Sequence, residues 1–174
     1  GSTGISGPTG PNGPTGPTGS QGATGVQASI TRANMPAGTV LQVVSATKTD
    51  VFSSTSGSWT DITGLSVTIT PTSSTNKVLA ILNMPTRHNT AGTNAAGQIS
   101  RNSGAALSGL VQDFYAPSGT GISGTINIVW LDSPATTSAV TYKTQFRSSL
   151  AGATVYVQSG SSTSISTITL LEIL

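Results

Sequence analysis

From Thr39 to the C-terminus apolar and polar residues alternate in twos; along the first 27 positions they follow a different rule. Leu65, Val67 and Ile69 alternate with Ser66, Thr68 and Thr70. Ile122, Gly124, Ile126, Ile128 and Trp130 alternate with Ser123, Thr125, Asn127 and Val129. Val140, Tyr142, Thr144 and Phe146 alternate with Thr141, Lys143, Gln145 and Arg147. A period of two puts one apolar and one polar face on each segment, which predicts half-buried antiparallel strands.

Two further segments are apolar on both faces. One is Lys77 to Leu82. The other is the C-terminal segment Ile165 to Leu174, with Ile168, Leu170 and Leu174 on one side and Leu171 and Ile173 on the other. Strands of that kind are expected between the core and a second surface, which in an oligomer is the subunit interface. Glu172 sits inside the C-terminal segment and needs a partner there; Arg101, Lys143 and Arg147 are the expected ones. Turn residues punctuate the strands at Ser56-Gly57, Thr63-Gly64, Pro71 to Ser74, Asn102 to Gly104, Asp132 to Pro134 and Ser159-Gly160. The least regular stretch, Met84 to Gly97, is expected to be a surface loop or crossover. Eight to ten short strands without any helical period predict an all-β antiparallel sandwich or jelly roll over 39–174.

Upstream the period is three. Glycine recurs at every third position from Gly1 to Gly25, nine Gly-X-Y triplets over 1–27, before Ala28 breaks the series. Such a series predicts a collagen-like triple helix, because only glycine fits at the axis shared by three polyproline-II chains. The expectation is therefore a homotrimer. Pro8, Pro11, Pro14 and Pro17 all occupy X positions, and threonine fills most Y positions. That pattern lacks the Y-position hydroxyproline of animal collagens and reads as bacterial or viral. At about 3.1 Å per residue the stalk would span roughly 80 Å. So short a helix is marginal alone, and the head is expected to hold the three chains in register. Residues 28–38 form a neck. Gly1 is already in phase with the repeat, as expected of the ordered end of a longer fibre chain.

Composition sharpens this picture. Only 7% of residues are charged, while threonine and serine number 29 and 26. Hydroxyls therefore build the polar surface, as in extracellular and virion fibres. The net charge is +2, carried by seven scattered Lys and Arg residues. Nucleic acid is not an expected partner on that basis. No apolar run approaches the length of a membrane span, so no membrane insertion is expected. Cysteine is absent, which removes disulfides and thiolate chemistry.

The runs Gly38 to Val44, Thr47 to Asp50 and Trp59 to Pro71 resemble a C-terminal module of phage tail-fibre and other virion structural proteins, those of marine and cyanobacterial phages above all. Leu131 to Thr137 with Thr141-Tyr142-Lys143, and Ser166 to Ile173, resemble the distal part of the same module. The resemblance covers most of 38–174, and 84–121 departs from it. It implies a homotrimeric virion fibre or fibre tip, extracellular, joined to other fibre or virion proteins and attaching to a glycan or protein on the host surface. A collagen-like stalk with a sandwich head is also similar in architecture to complement C1q, the tumour-necrosis-factor type of head, and spore-surface collagen-like glycoproteins.

Candidate chemistry is sparse. Gly119 to Gly124 spells G-x-G-x-x-G but precedes a strand and lacks the downstream acid of a dinucleotide site, so no cofactor is expected. His88, the single histidine, lies beside Arg87 in the expected loop and reads as solvent-exposed. A catalytic triad has no nucleophile elbow around it, and a metal held by three copies of His88 is the remoter option. The carboxylates Asp50, Asp61, Asp113, Asp132 and Glu172 never approach glycosidase-pair spacing in sequence. An enzyme is therefore not expected, and a carbohydrate-active tailspike is the alternative reading. A bacterial surface filament without a receptor is another. Trp59, Phe114 and Tyr115 are the aromatics least tied to a core face. Receptor contact, if it occurs, is expected on loops between Met84 and Gly121, through Arg87, His88, Asn89, Asn94, Phe114 and Tyr115.

Overall fold

The computed structural model describes residues 1–22, 31–102, 104, 106–107, 111–112, 115, 117, 121–158 and 164–174. The chain divides into two units, Gly1–Thr31 and Arg32–Leu174. In the first unit residues 1–22 form neither helix nor strand, and each is exposed. The expected turn at Ser159-Gly160 and residues 28–30 of the expected neck lie outside the described residues. The second unit opens with a single 3-10 turn, Arg32–Asn34.

Among the described residues ten strands follow: β1 (Val40–Lys48), β2 (Phe52–Ser54), β3 (Thr60–Ile69), β4 (Lys77–His88), β5 (Ala95–Arg101), β6 (Val111–Gln112), β7 (Ile122–Asp132), β8 (Val140–Ser148), β9 (Val155–Val157) and β10 (Ser166–Ile173). They form two antiparallel sheets. The larger runs β1-β10-β4-β7, with the short β2-β9 pair docked on β4 beyond the start of β10. The smaller runs β3-β8-β5-β6. The head is thus an all-β antiparallel sandwich, as the alternation predicts.

The core is the meeting of inward-facing positions. Val78, Ala80, Leu82 and Met84 of β4, Ile126 and Ile128 of β7, and Ile168 and Leu170 of β10 face Leu65 and Ile69 of β3, Ile99 of β5, and Val140, Tyr142 and Phe146 of β8. The β8 alternation is the one read from sequence, residue for residue. Gly97 lies between the sheets, where an added Cβ would stand 2.8 Å from Met84 Cε and 3.1 Å from Ile126 Cγ2. Chain entry and chain end lie together: the Gly38 amide donates to the Leu174 carbonyl at 2.9 Å, and the Leu174 amide to Thr39 at 3.0 Å.

Three expectations are corrected. The Met84 to Gly97 stretch is not a loop throughout, because β4 runs on to His88 and β5 begins at Ala95, leaving only 89–94 between them. Thr63-Gly64 does not end a strand; it is an irregularity inside β3, where the register to β8 shifts between Asp61 and Ser66 and Gly64 takes φ 83°. Glu172 has no cationic partner among Arg101, Lys143 and Arg147. It faces the core end of the larger sheet and accepts hydrogen bonds from the Thr72 amide, Thr72 Oγ1, Asn76 Nδ2 and Gln42 Nε2 at 2.5–2.7 Å. The three cations go elsewhere: Arg101 to Asp132, Lys143 to Asp61, and Arg147 over the Trp59 ring at 4.8 Å.

Candidate functional site

The ends of the sandwich are built differently. At the end where β1 enters, the 71–76 connection is fastened to Glu172, and Asp132 receives both the Tyr142 hydroxyl (2.6 Å) and Arg101 Nη1 (2.9 Å). These groups are committed to each other and to the fold.

At the far end three connections are laced together by bonds from backbone amides. The Asn94 amide donates to Ser149 Oγ and the Ser149 amide to the Asn94 carbonyl, both at 3.0 Å. The Gly152 amide reaches Thr55 and the Ser148 amide Ser56, each at 2.9 Å. The 89–94 turn, whose Gly92 has φ 75°, is thereby fixed against 148–152 and 55–58. Tyr115 belongs to the same surface, since its hydroxyl lies 3.8 Å from where a Cβ on Gly92 would sit. It is 62% exposed.

The candidate residues separate accordingly. Arg87 occupies an outward position of β4 opposite Ser123 and Tyr156, and its guanidinium packs on Gly121, where a Cβ would stand 2.8 Å from Nη2. Asn89 is exposed and Asn94 half-buried beside it. His88 is corrected: it is the next residue on the strand, so its side chain faces inward and is 0% exposed. It leaves the set of surface candidates and is not available to an axial metal. Phe114 and Asp113 lie outside the described residues. Trp59 is half-buried beneath Arg147, on the outer side of the smaller sheet. Tyr156, half-buried opposite Arg87, is an aromatic that the sequence did not single out; its signal would have been the Val-Tyr-Val alternation of β9.

What this surface can do is limited by its groups. Among the described residues it offers the Arg87 guanidinium, amides, hydroxyls and the Tyr115 phenol, groups that hydrogen-bond and stack. The described carboxylates are each engaged separately: Asp50 with Lys48, Asp61 with Lys143 and Gln145, Asp132 with Arg101 and Tyr142, Glu172 with its four donors. Contact with Lys143 and Gln145 holds the Asp61 carboxyl below its ordinary range. Among the described residues no pocket is present, and no three His, Asp or Glu side chains stand together to share a metal ion.

No protein-family model matches the chain, and no curated protein matches it in sequence. Solved structures with some likeness include those of infectious bursal disease virus. The VP2 subviral particle matches with a TM-score of 0.45 and 18% identity over 76% of this chain and 32% of that one. The Gx strain gives a TM-score of 0.40 and 17% identity over 76% and 32%. The Gt strain gives 0.40 and 16% over 76% and 38%. The chain spans about a third of the length of those proteins.

Proposed function

We propose that the chain is a homotrimeric structural and adhesive protein of a virion fibre, in which three Gly-X-Y segments wind into a stalk that carries three β-sandwich heads. The observation behind this reading is the unbroken triplet series of 1–27 joined in one chain to an antiparallel sandwich. The resemblance to phage fibre modules supports the virion assignment. Its mechanism is multivalent presentation: weak contacts to a host glycan or protein by Arg87, Asn89, Asn94 and Tyr115, repeated three times, add through effective concentration. Phe114 is assigned to the same segment. A tailspike enzyme would need paired carboxylates, and those described are bonded singly to other partners.

The test compares the full chain with residues 32–174 for retention on a panel of bacterial cells and immobilised glycans at equal head concentration. The fibre reading predicts retention of the full chain about 10²-fold or more above the head alone, the gain expected of linked sites. No retention of either would leave a filament without a receptor and overturn the adhesive part.

A further inference from the structure

The two outer faces of the sandwich carry opposite chemistry. On the smaller sheet the outward residues form polar ladders. Asp61 accepts from Lys143 Nζ and Gln145 Nε2, each at 2.8 Å; Thr68 and Thr141 share a hydroxyl bond of 2.8 Å; and Gln98 donates to Gln145 at 2.7 Å. Such a face is finished with respect to water.

On the larger sheet the register lines up Val43, Leu171, Leu79 and Leu131 in one row across β1, β10, β4 and β7. The neighbouring row is Ser45, Thr169, Ile81 and Val129, apolar in its β4–β7 half. Toward the neck, Val40 opposite Ile173 continues the patch as far as Lys77, which pairs with Ile173 on its other side. Val43 is 57% exposed, Val129 67% and Leu131 52%. The patch ends abruptly: the next row is Thr47, Thr167, Asn83 and Asn127, with Asn83 donating to Asn127 at 2.7 Å. Among the described residues β7 pairs with β4 alone, so the patch runs to a long sheet edge. An apolar patch on such an edge associates unless it is covered.

We infer that this neck-proximal half of the outer face is the seam against which two further copies of the same chain pack. The inference rests on the trimeric-fibre reading and adds the surface that makes the trimer. Three observations select a like copy as the occupant. The Gly-X-Y series requires three parallel chains, which would deliver three heads side by side at the Arg32 end. The patch lies at that end, next to Val40 and the Gly38–Leu174 bond. The Val43–Leu131 and Ser45–Val129 rows hold no ionised side chain, and Lys77 at their neck-side border donates to Ser133, so identical faces meet with little like-charge repulsion. The rows nearer the receptor end turn polar, where three heads would part.

The seam is tested on the full chain by sedimentation, with circular dichroism as the check on folding. Val129→Asp with Leu131→Asp should lose the three-copy mass while keeping the sandwich spectrum. Thr125→Asp with Asn127→Asp, farther along the same strand, should keep it. Should the first variant not fold, the absence of native cysteine provides a second route. Val43→Cys with Leu131→Cys lie at opposite ends of one row, roughly 14 Å apart within a chain at the usual strand spacing. A short bifunctional thiol reagent should link them between copies, and Thr68→Cys should not link. A wild-type trimer that survives Val129→Asp/Leu131→Asp unchanged, or shows no cross-link through the row, overturns the seam and leaves the fibre reading intact. A wild-type chain that sediments as a single copy overturns both.

Discussion

Glu172 accepts a hydrogen bond of 2.5 Å from Asn76 Nδ2, joining the last strand to a connection 96 positions earlier. Burial by itself would raise the Glu172 carboxyl, but the bonds from Thr72, Asn76 and Gln42 outweigh it and hold the pKa at about 2, below the ordinary 4.5. A depressed folded-state pKa adds stability that is present above the unfolded value and is lost as the pH falls through the folded one. Stability should therefore fall between pH 4.5 and about 2.

Glu172→Gln turns two acceptor oxygens into one and sets an amide against donors. It should cost about 1–3 kcal/mol near neutrality, read from urea unfolding midpoints, and the difference from wild type should shrink near pH 2. An equal difference at both pH values would contradict the charge-based account.

Tyr142 and Asp132 form the second buried link. Burial and the Asp132 carboxylate push the Tyr142 hydroxyl well above its ordinary value, so it stays a donor. Tyr142→Phe leaves Asp132 short of one donor and should destabilise by about 1–3 kcal/mol. A change below about 0.5 kcal/mol in chemical denaturation would show that Arg101 alone satisfies the carboxylate.

Much of this architecture is legible in the sequence, for a physical reason. β8 alternates because its inner residues, Val140, Tyr142, Thr144 and Phe146, meet a core while Lys143, Gln145 and Arg147 meet water or polar neighbours. The double-sided apolar segments do become neighbouring strands, β4 and β10, within the larger sheet. The reading fails where inward positions are polar. Met84, Thr86 and His88 all face inward, yet two of them look like loop residues, and Pro85 between them argues against a strand. The sequence points Glu172 to a cation because charge is what a sequence displays. Its true donors are an amide, a hydroxyl and two carboxamides brought in by turn geometry and strand pairing. Val129 reads as part of a polar face because Ser123, Thr125 and Asn127 precede it at the same period.

The Gly-X-Y series supplies a separate prediction. Gly13→Ala would put a methyl group at the axis of a triple helix and disrupt it locally. The polyproline-type dichroism of the full chain should melt at lower temperature, with the head's β signal unmoved. An unchanged melt would make 1–27 a flexible linker.

At the far end of the sandwich, the 89–94 turn is bounded by β4 and β5 and tied down by Ser149. Replacing 89–94 with the turn of a related fibre, or Tyr115 and Arg87 with alanine, should alter which cells retain the protein and leave the thermal midpoint in place, since these side chains lie outside the core. Retention unchanged by both would put recognition elsewhere.

The central claim is that three chains act as one. Sedimentation equilibrium of the full chain should give three times the 17.3 kDa of a single chain. A single-chain mass across the concentration range, with the sandwich folded, would contradict it.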